Sequence, residues 1–143
     1  MRSDFLNDSS GVSNVNKKFE VISAARTLTA DDSGKVFGIN QASAYEITLP
    51  LAATAGVGWH CSFINVTAGS YAVTIANNTD EDKICGMVTG GDGGAGSSVE
   101  TVSVDEIVFI NGSVVGDKLD LFCDGASYYG YGLGNDVAHI TIS

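Results

Sequence analysis

From residue 19 onward the chain is a succession of short runs rich in Val, Ile, Thr, Tyr and Phe, separated by clusters of Gly, Asn, Asp and Ser. Such runs are typical of β-strands bounded by turns. No window of a dozen residues has a convincing 3.6-residue period with caps, and the best helical candidate, residues 51–58, is short. The sequence therefore predicts an all-β fold. The predicted strands are 19–23, 26–29, 35–39, 45–49, 59–66, 71–76, 83–88, 99–104, 106–110, 117–123, 127–133 and 138–142.

Alternation of apolar and polar residues within these strands predicts one buried and one solvated face. Leu119, Leu121 and Cys123 fall on one side of a predicted strand, whereas Lys118 and Asp120 fall on the other. Strands with one buried and one solvent-exposed face are typical of antiparallel sheets. We therefore expect an antiparallel β-sandwich, a jelly roll or a small barrel, and the pattern leaves these three open.

Two dipeptides favour tight hairpins in the C-terminal third of the chain. Asn111-Gly112 and Asp124-Gly125 tolerate the positive φ angles that such turns require. Predicted strands flank both dipeptides. This arrangement predicts that the C-terminal third is an antiparallel meander.

The N-terminal segment differs from the rest of the chain. Residues 1–18 hold few apolar side chains and no sustained period, so we predict an extended arm over residues 1–25 and a β domain over residues 26–143. Isolated apolar side chains on an arm suit the grooves of a partner, and a disordered terminus is the alternative. The candidate contact residues of this arm are Phe5, Leu6, Val12, Val15 and Phe19.

Charge limits the partners that the chain can bind. The formal net charge is −10, and residues 27–143 carry three basic residues against fourteen acidic ones. Such a body repels phosphate backbones and anionic membranes, so we expect no direct contact with nucleic acid or membrane. No run approaches the roughly twenty apolar residues of a membrane helix, and the N-terminus lacks the apolar run of a secretory signal.

Residue patterns that carry catalysis are sparse. His60 and His139 are the only histidines, and Ser62 near His60 has no orienting acid at a recognisable spacing and no GxSxG elbow. The three cysteines form no CxxC pair, which indicates free buried thiols. We therefore expect no enzyme, no catalytic residue, no bound metal and no cofactor.

Two further patterns invite ligand-binding hypotheses. The acidic groups Asp31-Asp32, 80–82 and 105–106 offer oxygen ligands for Ca²⁺, but none has the spacing of a D-x-D-x-D-G loop. The glycine-rich segment 90–96 lacks the Lys-Ser/Thr and the following helix of a phosphate-binding loop. We expect solvated loop charges in the first case and a surface loop in the second.

Two segments carry a recognisable pattern. Residues 26–65 join a TLT-x-x-DSG turn to a TLP strand end and then to an aromatic strand that ends in Asn, and residues 116–132 contain a hairpin around Asp-Gly. Both segments resemble structural proteins of tailed bacteriophages, among them capsid decoration (cement) proteins and modules of head or tail fibres. Tyr128 and Tyr129 stand where that family usually has a Trp-Tyr pair.

The resemblance implies a structural virion protein on the outer surface of a tailed-phage head, which it stabilises. Its implied partners are the major capsid protein and further copies of itself in a homotrimer, and it would be made in the host bacterial cytoplasm. The alternative within the same family is a fibre or receptor-binding module whose tyrosines contact a glycan. A small polysaccharide hydrolase would rest only on scattered carboxylates.

The residues that carry the resemblance are expected to be architectural. Their predicted roles are a turn at Asp32, Ser33 and Gly34, a strand end at Pro50, core anchors on one face at Trp59 and Phe63, and a hairpin turn at Asp124 and Gly125.

Overall fold

Strands make up most of the described chain. The computed structural model describes residues 18–78, 83–91 and 98–143, with side chains of the last range described from residue 104. All predicted strands are present near their expected bounds, and the helical candidate contains the short helix α1 (Ala52–Ala55). The strands are β1 (Phe19–Ile22), β2 (Arg26–Thr27), β3 (Val36–Ile39), β4 (Tyr45–Thr48), β5 (Val57–Asn65), β6 (Val73–Ala76), β7 (Ile84–Gly90), β8 (Ser98–Val104), β9 (Glu106–Phe109), β10 (Lys118–Asp124), β11 (Tyr128–Gly134) and β12 (Ile140–Ile142).

The strands form two sheets, and the first six strands alternate between them. The seven-stranded sheet has the order β1-β3-β5-β10-β11-β7-β8, and the five-stranded sheet has the order β12-β9-β6-β4-β2. The pairs β1–β3, β3–β5, β2–β4 and β4–β6 are parallel. Parallel neighbours need a crossover connection, which is usually a helix. Here each crossover contains a strand of the other sheet.

The all-β prediction is confirmed, but the expectation of antiparallel sheets is wrong for half of the pairings. Five of the ten pairings among the described strands are parallel, including β7 with β11. Neither sheet closes on itself in this part of the chain, so the small-barrel alternative is also wrong. The physical reason is that inside–outside alternation records only which face of a strand is covered. This alternation is the same in parallel and in antiparallel strands.

The two predicted hairpin turns differ in what they connect. Asp124-Gly125 joins the antiparallel strands β10 and β11, and Gly125 has a φ of 90°. Gly112 also has a positive φ, 106°, but the strands on either side of Asn111-Gly112 belong to different sheets. The chain changes sheet again between β11 and β12. The predicted C-terminal meander is therefore wrong.

One hydrophobic cluster contains residues of both sheets. In the seven-stranded sheet, the rings of Phe37 and Phe63 stack with their centroids 5.5 Å apart, and Trp59 meets Tyr128 edge-on at 5.8 Å. Ile47 is one of the fully buried residues that the five-stranded sheet contributes. Burying one such large apolar side chain is worth about 1.5–3 kcal/mol. The shared core therefore holds the two sheets against each other.

Buried amides join the loops at one end of the core. Gln41 is fully buried, and its Nε2 donates to the carbonyl oxygens of Tyr71 at 2.8 Å and Phe109 at 3.1 Å. The Nδ2 atom of Asn65 donates to Oε1 of Gln41 at 2.8 Å. Buried polar groups need such partners, so these amides also restrict how the loops can pack. Neither amide was predicted to be buried, although Asn65 continues the buried alternation of β5 two residues beyond Phe63.

Strand β1 lies in the segment that the sequence analysis assigned to the N-terminal arm. It pairs with β3 along its whole length, and Ile22 is buried. The sheet therefore begins at residue 19, before the predicted boundary between residues 25 and 26. Phe19 is a strand residue, whereas the other candidate arm contacts, Phe5, Leu6, Val12 and Val15, lie outside the described residues.

Substitution of Phe63 by alanine tests the core. We expect Phe63→Ala to lower the free energy of unfolding by about 3–5 kcal/mol, because a fully buried ring is replaced by a cavity. Urea denaturation at one protein concentration, followed by the fluorescence of Trp59, measures the change. Val57 in the same strand is 83% exposed, and Val57→Ala should change the free energy of unfolding by less than about 0.5 kcal/mol. Equal losses in the two variants would contradict the burial of Phe63.

Candidate interaction surface

The outward face of the seven-stranded sheet carries large apolar side chains. Alternate residues along each strand point away from the core. On the end strand β1 these are Phe19 and Val21, which are 58% and 51% exposed. We call these two residues the edge pair. Their exposure places an apolar stripe on the end strand of the sheet.

A second apolar group lies further along the same face, on the interior strands β10, β11 and β7. Phe122, Tyr131, Leu133 and Met87 are 47%, 59%, 52% and 38% exposed. Tyr131 is directly opposite Met87 on β7 and opposite Asp120 on β10. We call the four exposed residues the β11 patch. Contiguous exposed apolar side chains of this kind are typical of interaction sites.

The outward face of the five-stranded sheet has the opposite character. Most of its outward positions are polar or charged, and these are Glu46, Thr48, Thr74, Glu106 and Thr141, whereas Ala76 and Val108 are apolar. The polar majority suits contact with water. The two outer faces of the domain are therefore chemically different.

Strand β11 has small residues on its core-facing side and large ones on its outward side, which is the reverse of the usual arrangement. After Tyr128, its core-facing positions are all glycine, while its outward positions are two tyrosines and Leu133. A Cβ atom added to Gly130 would lie 3.0 Å from Cδ1 of Ile107, and one added to Gly132 would lie 3.0 Å from Cγ2 of Val88. Neighbouring side chains thus fill the core side of β11. The large side chains of this strand, apart from Tyr128, are on its outward face.

A shallow groove of about 360 Å³ lies beside the β11 patch. Phe122 and Tyr131 contribute aromatic surface to it, and Ser62 and Asp120 contribute polar atoms. The Ser62 hydroxyl donates to Oδ1 of Asp120 at 2.6 Å, and Nζ of Lys118 lies 2.8 Å from Oδ2. The charge of Asp120 is therefore matched by that of Lys118 within the groove.

His60 and Ser62 share this groove but are not arranged for nucleophilic catalysis. The serine hydroxyl is engaged by the Asp120 carboxylate, and Nδ1 of His60 lies 3.0 Å from the carbonyl oxygen of Gly58. A nucleophilic serine needs its hydroxyl hydrogen-bonded to the base that activates it. These contacts instead hold the side chains of neighbouring strands in place.

The second histidine contacts a buried carboxylate that the sequence analysis did not identify. Asp117 is 2% exposed, and its Oδ2 lies 2.8 Å from Nδ1 of His139. The same carboxylate accepts the backbone N–H groups of Asn135 at 2.7 Å and Val114 at 2.8 Å. Asp117 therefore connects the segments that contain Val114, Asn135 and His139. Its position two residues before buried Leu119 was the signal for its burial.

Asp32 is the centre of an ion-pair cluster in the turn before β3. Its Oδ1 accepts hydrogen bonds from Lys35 at 2.6 Å and Arg26 at 3.1 Å, and its Oδ2 accepts one from the backbone N–H of Thr29 at 2.9 Å. Arg26 and Lys35 also pair with Glu20 of β1. Burial by itself raises the pKa of Asp32, but the bonds from Lys35 and Thr29 and the two positive charges hold the pKa below its ordinary value of 3.8.

The other residues of the same turn contact β5. Gly34 has a φ of 81°, which favours glycine, and its N–H donates to the carbonyl oxygen of His60 at 2.7 Å. The hydroxyl oxygen of Ser33 accepts the His60 N–H at 3.3 Å. Asp32, Ser33 and Gly34 thus fix the turn against the neighbouring strand.

The remaining predicted structural residues lie at the core and at turns. Trp59 and Phe63 are buried on the same face of β5. Pro50 is buried just after β4, and its carbonyl oxygen accepts the hydroxyl of Tyr128 at 2.6 Å. In the β10–β11 turn, Oδ1 of Asp124 accepts the N–H groups of residues 126 and 127 at 2.8 Å each.

Three expectations from the sequence concern the acidic groups, the cysteine thiols and the glycine-rich segment. No cluster of three or more His, Cys, Asp or Glu side chains that could hold a metal ion occurs in the described ranges. Residues 80–82 and most of the glycine-rich segment 90–96 lie outside those ranges. Cys61 and Cys123 are buried free thiols, and burial raises the pKa of each. Raised thiol pKa values disfavour the reactive thiolate form.

Comparison with protein-family models, curated proteins and solved structures found no match to this chain. The described residues contain no helix that is long and apolar enough to span a membrane.

Replacing Asp32 tests the ion-pair cluster through the pH dependence of stability. Because folding lowers the pKa of Asp32, its carboxylate stabilises the fold above pH 3.8, and this contribution is lost as the pH falls through the folded-state pKa. We expect Asp32→Asn to lower the free energy of unfolding by about 1–3 kcal/mol near neutral pH, because the donors around the buried carboxylate lose a charged acceptor. Urea denaturation near neutral pH and well below 3.8 measures the loss, which should shrink at the lower pH.

The exposed neighbour Asp31 provides the control for this experiment. Asp31→Asn should change the free energy of unfolding by less than about 0.5 kcal/mol at either pH. A loss in Asp32→Asn that was the same at both pH values would contradict the stabilising role of the charge.

Proposed function

We propose that this chain is a structural virion protein that decorates the outer surface of a tailed-phage head and stabilises it as a homotrimer. The edge pair carries this proposal. Phe19 and Val21 are more than half exposed on the end strand of a sheet, within the segment over residues 1–25 that was predicted to be a binding arm. A neighbouring protein of the shell that covered this stripe would bury apolar surface now in contact with water.

The backbone of β1 offers a second kind of contact at the same place. The carbonyl oxygens of Lys18 and Ile22 accept the N–H groups of Val36 at 2.8 Å and Asn40 at 3.0 Å. Alternation along a strand therefore turns the backbone N–H and C=O groups of Phe19 and Val21 away from β3. Such an edge can accept a strand from a partner, with specificity added by the side chains beside it.

The architecture supports a role as a rigid binding module. We infer that the two sheets pack face to face as a sandwich, because both contribute residues to one core cluster. The residues that carry the phage resemblance lie in turns and in that core, with Trp59 and Phe63 as examples. A scaffold of this kind holds the edge pair and the β11 patch at a fixed spacing.

The contacts of polar residues also favour binding over catalysis. Ser62 is bonded to Asp120, and His139 contacts Asp117, which accepts two backbone N–H groups as well. Each of these side chains has a structural partner. We therefore propose a non-enzymatic protein whose partners are the major capsid protein and copies of itself.

Deletion of residues 1–17 tests the predicted arm while keeping all described residues. The shortened chain begins at Lys18, whose carbonyl oxygen still pairs with β3. We expect an unchanged thermal unfolding midpoint and loss of binding to phage heads. Co-sedimentation with heads of the virus that encodes this chain, assembled without its gene, measures binding. Full binding by the shortened chain would contradict the arm's role.

A double substitution tests the edge pair separately. Phe19→Ser with Val21→Ser should weaken co-sedimentation with the same heads by at least about tenfold, because central apolar contacts dominate the free energy of binding. Val57→Ser is the control, since Val57 is exposed at the start of β5. Unchanged binding by the double variant, with its fold intact by circular dichroism, would contradict the contact through β1.

One observation favours a second candidate function, a fibre or receptor-binding module. Of the tyrosines considered for sugar stacking, Tyr128 is buried and Tyr129 donates to Asp124 at 3.0 Å, whereas Tyr131 is exposed beside the groove. An exposed aromatic ring beside polar groups suits a sugar face. This candidate predicts glycan-array binding that disappears in Tyr131→Ala. Absence of binding by the unmodified chain would leave the decoration function ahead.

A further inference from the structure

We propose that Gly38 positions the edge pair for its contact with the shell. This inference rests on the proposed function, which assigns that contact to Phe19 and Val21, and it adds the residue that holds their side chains in place. Gly38 lies within β3, and its register partner on β1 is Val21. Its position faces outward, because its neighbours Phe37 and Ile39 are fully buried in the core.

The backbone at Gly38 does not require glycine. Gly38 is not among the glycines with a positive φ, so its conformation is open to any residue. A glycine inside a strand is destabilising relative to alanine, because it loses more conformational freedom on folding. The reason for a glycine at this position therefore lies in the space beside it.

Three side chains converge on the space that a Cβ atom of residue 38 would occupy. Such an atom would lie 2.8 Å from Cζ of Phe19, 3.0 Å from Cγ1 of Val66 and 3.3 Å from Cγ2 of Val21. The ring of Phe19 thus reaches along β3 to Gly38, although the register partner of Phe19 is Val36. Gly38 is buried under this cover. We call the backbone of Gly38 the seat of the edge pair.

Val66 extends the apolar surface beyond the edge pair. It directly follows β5, and its N–H donates to the carbonyl oxygen of Ile39 at 3.0 Å, so it continues the pairing of β5 with β3. Ile64 is the register partner of Gly38 on β5, and both Ile64 and Val66 are half-buried. The apolar surface at this end of the sheet therefore spans β1, β3 and β5.

The position of the Phe19 ring determines the surface that a partner meets. While the ring lies on the seat, Phe19, Val21 and Val66 form one continuous apolar surface. Contacts at the centre of an interface are strongest where their neighbours exclude water. A side chain at position 38 would move the 58% exposed Phe19 and interrupt this surface without entering the core.

Replacing Gly38 by alanine tests this proposal. We expect Gly38→Ala to weaken binding to phage heads by at least about threefold, because the added methyl group displaces the ring from the seat. Co-sedimentation with heads assembled without this chain measures binding, and the thermal unfolding midpoint should stay close to that of the unmodified chain. Gly91→Ala is the matched control, since Gly91 also lacks a positive φ and a Cβ there would have no neighbour closer than 3.6 Å.

A shorter side chain at position 19 provides a rescue. Phe19→Leu removes the Cζ atom, which is the nearest obstacle to a methyl group at position 38, and keeps the side chain apolar. We therefore expect Gly38→Ala to weaken head binding much less in a chain that already carries Phe19→Leu. The double-mutant cycle measures this coupling. A general loss of stability would instead weaken binding by the same factor in both backgrounds, and that result would contradict the positioning role.

The methyl resonances of Val66 report on the seat in the absence of phage heads. Because an aromatic ring shifts the NMR signals of methyl groups beside it, we expect the Val66 signals of the unmodified chain to be displaced from the usual valine position. Gly38→Ala and Phe19→Leu should each reduce this displacement, whereas Gly91→Ala should leave it unchanged.

The contrary results contradict different statements. Val66 signals that are the same in the unmodified chain and in Gly38→Ala would contradict the seat. Altered Val66 signals with unchanged head binding would exclude Gly38 from the contact and leave the decoration function in place. An unmodified chain that does not bind heads would contradict the decoration function and, with it, the positioning role of Gly38.

Discussion

The burial of each strand's apolar face in one hydrophobic core is the constraint on which the rest of the structure depends. The first six strands alternate between the sheets, so parallel neighbours such as β3 and β5 stack equivalent side chains, as Phe37 and Phe63 do at 5.5 Å. The core thereby determines the orientation of every outward residue. A shift of one residue in any strand would bring its solvent-facing side chains into the core.

This constraint also determines which side chains each sheet presents on its outward face. On the five-stranded sheet most outward residues are Thr or Glu, as expected where water is the neighbour. On the seven-stranded sheet the same geometry turns Phe19, Tyr131 and Leu133 outward. In a strongly acidic chain, these uncharged places are where close protein contacts encounter the least repulsion. The edge pair and the β11 patch are thus two separate surfaces on one rigid scaffold.

Much of the local structure could be predicted from the sequence, because strand periodicity and turn residues act over short distances. The runs around Leu119 and Trp59 identified both the strands and their buried faces. Strand direction and sheet membership could not be predicted, since they depend on which distant strand covers each face. Asn111-Gly112 illustrates the difference: its turn is local, but the sheets that it connects are not.

The interaction surface was less predictable than the fold. Phe19 was predicted to be a contact residue of the arm over residues 1–25, and strand 19–23 was also predicted, but the place of this strand at the end of a sheet required the pairing with β3. Tyr131 was considered from the sequence as a glycan contact, but the β11 patch as a whole was missed because YYGYGLG does not show which alternate residues face the core. The burial of Asp117 and Asn65 was not predicted, because polar side chains are buried only where distant parts of the chain supply their hydrogen-bond partners.

The central claim is that the edge pair on β1 is covered by protein when the chain binds the phage head. Hydroxyl-radical labelling of the unmodified chain, read by mass spectrometry, tests it by comparing Phe19 with Tyr71, which are 58% and 51% exposed in the single chain. We predict that binding to heads slows the modification of Phe19 much more than that of Tyr71. Modification of Phe19 at the same rate in the free and the head-bound chain would contradict the claim.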